Sequence, residues 1–174
     1  NTLLKTDEYD YIIKDARVKV LVVHDSLKAL VEPTIKKHDT LIKVITVTDN
    51  KSIKCTTFTD WIDGEKSELE SATTHREDFC SLHYSSGTTG VPKGVLHMHK
   101  DYPLIAQLSG VDLFGIAENY RTYSVAKLFF VYGIGGNLIF PWYVGASCVL
   151  YAGPPRQAAA VLKAISTFKP TVFV

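Results

Sequence analysis

Leu82-His83-Tyr84-Ser85-Ser86-Gly87-Thr88-Thr89-Gly90-Val91-Pro92-Lys93-Gly94 sets two glycines and four Ser or Thr hydroxyls between an apolar lead-in and Lys93. Glycine lets the backbone turn tightly and bring its N–H groups close to a ligand; the hydroxyls add donors and Lys93 adds positive charge. The stretch therefore reads as a grip for an anion with several oxygens. A Walker P-loop would require a Gly-Lys-Ser/Thr end running into a helix N-terminus. Here Pro92 precedes the lysine, Gly94 follows it, and Val95-Leu96-His97-Met98-His99 has strand character. The expectation is strand, loop, strand, and on spacing alone a ligandless Ser/Gly/Thr-rich surface hairpin is an equal reading.

The order of residues from Leu82 to Lys93 resembles the signature loop of the adenylate-forming superfamily, which includes acyl- and aryl-CoA ligases, peptide-synthetase adenylation domains and firefly luciferase. About a dozen ordered positions carry the likeness. In that family the loop closes over the β- and γ-phosphates of ATP while a carboxylate attacks the α-phosphate. By this resemblance Ser85, Ser86, Gly87, Thr88, Thr89, Gly90 and Lys93 bind the nucleotide, with ATP, Mg2+ and coenzyme A as cosubstrates. The resemblance also implies that the chain is an internal, incomplete part of the large N-terminal domain and is inactive on its own. The family's later adenine- and magnesium-binding segments and its small C-terminal domain are not found in it.

Around the loop, 174 residues suffice for a sizeable core, and 46% apolar with 21% charged residues is the composition of an ordinary soluble protein. A net charge of +1 gives no long-range pull on nucleic acid or anionic membrane, so neither is expected as a partner. Cys55, Cys80 and Cys148 are odd in number, widely spaced and without zinc-ligand spacing, which suits a reducing cytoplasm. The first residues, Asn1 to Lys5, lack both an initiator Met and a signal-peptide pattern, as if the sequence begins mid-protein.

The elements alternate. Thr6 is placed to cap a helix carrying Tyr9, Ile12, Ile13 and Ala16, followed by a strand over Arg17 to His24. Ser26 is placed to cap a second helix interrupted near Pro33, and Leu41 to Val47 is a β-branched run. A short helix over Phe58 to Ile62 gives way to a polar stretch reaching Asp78, the best boundary in the chain. Two α/β portions follow from it, 1–70 and 71–174. Beyond the loop, Tyr102 to Glu118 has a helical pattern, and strands are expected at Tyr120 to Val125, Ser147 to Tyr151 and Thr171 to Val174. Gln157 to Phe168 is the clearest amphipathic helix, with Pro170 after it. The fold class is α/β, with mostly parallel sheets and flanking helices. The last sheet looks unfinished, and exposed edges would favour self-association.

No charged residue occurs from Leu128 to Pro155, but seven Gly, Pro and Asn positions from Gly133 to Gly153 break the run, so a buried helix and strand are expected, not a membrane span. Just before it, Ala126-Lys127-Leu128-Phe129-Phe130-Val131-Tyr132-Gly133-Ile134-Gly135 resembles the acid-pocket segment of benzoate-CoA ligases and their hydroxybenzoate relatives. By that likeness Phe130, Val131 and Tyr132 line the pocket of a small-molecule carboxylic acid, the aromatic rings offering flat walls to a ring. Plain core packing is the competing reading of so apolar a run. Val131 stands where the resemblance expects a smaller residue, which narrows the pocket by about one or two methyl groups. An aromatic, benzoate-like acid is expected; a ligase for medium-chain fatty acids and a non-catalytic nucleotide- or phosphate-binding module are the alternatives. His97 and His99, two apart on one strand, have no third ligand near in sequence and read as structural. Lys127 reads as a lysine snorkelling from a strand end. No residue of the chain is assigned a catalytic or metal-ligating role.

Overall fold

The computed structural model describes residues 1–174 apart from 51, 53–54, 86–89 and 154–155. Two compact units are present: residues 2–73 with 82–95, and residues 74–81 with 96–174 and Asn1.

The first unit opens with α1, Thr6–Asp15. Its cap is Lys5, one residue before the expected Thr6, because the Glu8 carboxylate accepts the Lys5 N–H at 2.8 Å and closes the first turn. Two parallel strands follow, β1 (Val20–His24) and β2 (Lys43–Val47), in register from Val20 opposite Lys43 to His24 opposite Val47. Between them runs α2, Asp25–Ile35, capped by the His24 ring in place of the expected Ser26. Pro33 lies inside α2 and does not interrupt it. It falls in the last turn, where buried Val31 and Thr34 anchor the chain and Thr34 Oγ1 donates to the Val31 carbonyl at 2.7 Å. The short helix α3 occupies Phe58–Ile62, where its pattern predicts it, with Thr57 as cap.

Strands β3 (Phe79–Ser85) and β4 (Lys93–Met98) are hydrogen-bonded neighbours, as strand, loop, strand requires. His99 falls in the turn after β4, so it does not share a strand face with His97 as expected.

In the second unit, α4 (Asp101–Ile105) continues into a π-helical stretch, Ala106–Leu113. The three-stranded sheet has the order β6-β5-β7, with β5 at Arg121–Tyr123, β6 at Ser147–Val149 and β7 at Val172–Phe173. Both pairings are parallel. The amphipathic helix α7, Ala158–Phe168, lays Val161 and Ala164 against Tyr123 and Val149 to form the core. It stops where Lys169 turns left-handed at φ +48°, directly before Pro170. The uncharged run folds as α5 (Val131–Ile134), a π-helical turn (Gly135–Ile139), α6 (Phe140–Tyr143) and then β6. It is buried through Gly133, Gly136, Asn137 and Pro141, while Trp142 and Tyr143 stay exposed, so the expected buried helix is buried on one side only. Among the described residues no helix is long and apolar enough to cross a membrane.

Candidate functional site

The two stretches singled out by sequence fall in different units. In the first, Ser85 ends β3, exposed, and Lys93 begins β4, also exposed. Gly90 sits between them at φ +81°, a conformation that a side chain disfavours. Ser86, Gly87, Thr88 and Thr89 lie outside the described residues. The strand leading into the loop is tied down by Tyr84, whose hydroxyl donates to Asp15 Oδ2 at 2.6 Å and whose ring meets Tyr11 edge-on. Burial first, and then that hydrogen bond, push the Tyr84 phenol above its usual range.

In the second unit the chain leaves β5 at its C-terminal end, the side of a parallel sheet on which ligands bind in open α/β folds. Phe130 caps α5 with extended backbone; its N–H donates to the Lys127 carbonyl at 2.9 Å and its carbonyl accepts from the Ile134 N–H at 3.0 Å. Phe129 and Phe130 are in ring contact at 4.7 Å. Phe130, Val131 and Tyr132 are 44, 57 and 66% exposed in this chain and present an aromatic, apolar surface at the start of α5. Gly133 behind them is buried where a Cβ would lie 2.3 Å from the Lys127 carbonyl oxygen and 2.5 Å from that of Ala126. No side chain fits between α5 and the segment before it.

A cleft of about 230 Å³ opens beside this segment, lined by Ser124, Lys127, Leu128, Asn137, Leu150 and Tyr151, among others. Phe130, Val131 and Tyr132 are not part of its lining. The bonding of two polar residues here is not what the sequence indicates. Asn137, only 3% exposed, accepts from Thr122 Oγ1 at 3.1 Å and donates to the Val149 carbonyl at 2.9 Å, bridging β5 and β6 from beneath. A lone amide in an uncharged run was the available signal. Lys127 does not snorkel to solvent: its ammonium donates to the Tyr151 and Gly153 carbonyls, each at 2.6 Å, with the Tyr151 ring centroid 5.7 Å away. Among the described residues no group of three or more His, Cys, Asp or Glu forms a metal site, and His97 instead approaches Asp101 at 3.6 Å.

The family model for "AMP-binding enzyme" matches residues 1–174, the whole chain. The chain belongs to the AMP-binding enzyme family. Among curated relatives it is 37% identical to "Benzoate--CoA ligase" of Thauera aromatica, over 99% of this chain and 32% of that protein. It is 32% identical to "4-hydroxybenzoate--CoA/benzoate--CoA ligase" of Rhodopseudomonas palustris, over 99% of this chain and 31% of that protein. The solved structure of the anthranilate CoA ligase AuaEII in complex with anthranoyl-AMP superposes with a TM-score of 0.95 at 53% identity, covering 99% of this chain and 33% of that one. A benzoate CoA ligase from Burkholderia xenovorans LB400 superposes at 0.86 with 30% identity, covering 99% of this chain and 33% of that one. This AMP-binding enzyme chain thus spans about a third of the length of the relatives it matches. The α/β expectation and the resemblance of the signature loop agree with this membership.

Proposed function

We propose that the complete protein is an AMP-forming acid-thiol ligase that activates a benzoate-like aromatic acid. The observation that carries this reading is the likeness to AuaEII, 53% identical over nearly the whole chain and solved with an aromatic acyl-adenylate. The exposed aromatic surface at Phe130 to Tyr132 supports it, as a flat apolar wall suits a ring.

The reaction has two steps. A carboxylate oxygen of the acid attacks the α-phosphorus of ATP, the bond to the bridging oxygen of pyrophosphate breaks, and an acyl-adenylate forms. The sulfur of coenzyme A, giving up its thiol proton to solvent, then attacks the acyl carbon, and AMP leaves with the bonding electron pair. The first step needs phosphate charge neutralised and the reactants held in line. The loop Ser85, Ser86, Gly87, Thr88, Thr89, Gly90 supplies backbone N–H and hydroxyl donors to the departing pyrophosphate, and Lys93 supplies positive charge. Phe130, Val131 and Tyr132 form one wall of the acid site. Magnesium enters with ATP, as part of that substrate.

The test is acid-dependent thioester formation by the complete natural protein with coenzyme A. A thioester of benzoate or anthranilate supports the ligase reading. Release of adenylate without thioester moves the protein to another branch of the superfamily with a different acceptor.

A further inference from the structure

Lys127 is joined to its surroundings at both ends. Its carbonyl accepts the Phe130 N–H at 2.9 Å and lies where a Cβ on Gly133 would clash, so its backbone is seated against the start of α5. Its ammonium is held by the Tyr151 and Gly153 carbonyls in the turn after β6. That turn is folded back tightly, the Gly153 backbone lying against the Tyr151 ring, which brings two carbonyls to one cation. Among the described residues no carboxylate pairs with Lys127, so these carbonyls and the Tyr151 ring are its partners. Charge-assisted hydrogen bonds of this kind are the strong ones, and a half-buried ammonium withdrawn from them leaves both carbonyls unpaired.

We propose that Lys127 is a positioning residue for the acid substrate: it clamps the turn Tyr151 to Gly153 onto the segment that sets Phe130, Val131 and Tyr132. The inference rests on the acid-pocket reading of those three residues. Lys127 does not touch the reacting atoms; it fixes the direction in which the chain leaves β5 and enters α5. Loss of the clamp loosens the wall of the acid site, while none of the clamp's own partners belongs to the nucleotide loop.

The experiment compares the complete natural protein with Lys127→Met, close in length but without donors, and Lys127→Arg, which keeps charge and donors. Amide hydrogen exchange is read at residues 130–134 and 151–153, and ATP–pyrophosphate exchange is measured while benzoate or anthranilate and ATP are varied separately. The expected result for Lys127→Met is faster amide exchange in both segments and an acid KM raised at least roughly tenfold, with the ATP KM within about twofold of wild type. Lys127→Arg recovers most of the acid KM. Unchanged amide exchange in both segments overturns the clamp. Faster amide exchange with the two KM values rising together, or with neither changed, overturns the positioning role. If the wild type itself exchanges with no aromatic acid, the ligase reading fails and the positioning role with it; the amide exchange, which needs no activity, then decides the clamp alone.

Discussion

Tyr84 donates its phenolic hydrogen to Asp15 Oδ2 at 2.6 Å, tying the strand that leads into the signature loop to the last residue of α1. A hydrogen bond to a charged acceptor stabilises by about 1.5 kcal/mol where, as here, the pair is open to solvent. Tyr84→Phe keeps the ring contact with Tyr11 and removes the bond, so a loss of that size is expected in thermal or urea unfolding. The pH dependence has a definite sign. The folded Tyr84 phenol is raised above its usual value of about 10, so its contribution is complete below that pH and disappears as pH climbs through the folded value. Wild type and Tyr84→Phe should therefore converge in strongly alkaline solution.

Asp10 predicts the opposite pH behaviour. His38 Nε2 lies 3.0 Å from Asp10 Oδ1 and Lys37 Nζ lies 3.6 Å from it; the His38 hydrogen bond, then the Lys37 charge, lowers the Asp10 carboxyl below its usual range. A lowered folded value means stability that is present above about pH 4 and lost as pH falls through the folded value. Melting temperatures of wild type and Asp10→Asn, followed from pH 7 to pH 2.5, should differ most at the upper end and draw together at the acid end. A constant gap would show that the Asn side chain, and not the charge, makes the difference.

Asn137 bridges Thr122 on β5 and Val149 on β6 from a fully enclosed position. Asn137→Leu is close in volume but removes the acceptor of the Thr122 hydroxyl and the side-chain donor to the Val149 carbonyl. The expected cost is about 2 kcal/mol in denaturant unfolding, larger than for a surface Asn. A loss within about 0.5 kcal/mol would mean that the sheet does not depend on the bridge.

Much of this architecture was legible because the patterns are local. The amphipathic period of α7, and Pro170 beyond it, place that helix almost to the residue, and α3 begins and ends where its sequence indicates. Helix starts were harder to read. Thr6 and Ser26 are better caps by type than Lys5 and His24, but a Glu8 carboxylate turned back on Lys5 and an imidazole accepting from Ser26 set the boundaries. The π-helical stretches escape a 3.6-residue period, and one of them carries a contact between distant residues that the sequence does not announce, Gly110 meeting the Phe140 side chain at about 3.0 Å from its would-be Cβ. The same reason hid Lys127, whose partners are backbone carbonyls of residues 24 and 26 positions away. Carbonyls have no sequence signature.

Gly87 stands in the middle of the signature loop in sequence, and on the proposed reading the backbone N–H groups of that loop bind phosphate oxygens. In the complete protein Gly87→Val should lower carboxylate-dependent pyrophosphate release at least roughly tenfold, as should the Thr88→Ala/Thr89→Ala pair. Unaltered thermal unfolding alongside the lost rate would place the effect in catalysis. An unchanged rate would remove the loop from the nucleotide site.

The most direct test of the aromatic-acid reading is ATP–pyrophosphate exchange by the complete natural protein, with benzoate, anthranilate, a hydroxybenzoate and a medium-chain fatty acid offered in turn. Exchange that depends on an aromatic acid and exceeds the fatty-acid rate is the predicted result. Exchange with the fatty acid alone, or silence with every acid, would contradict it.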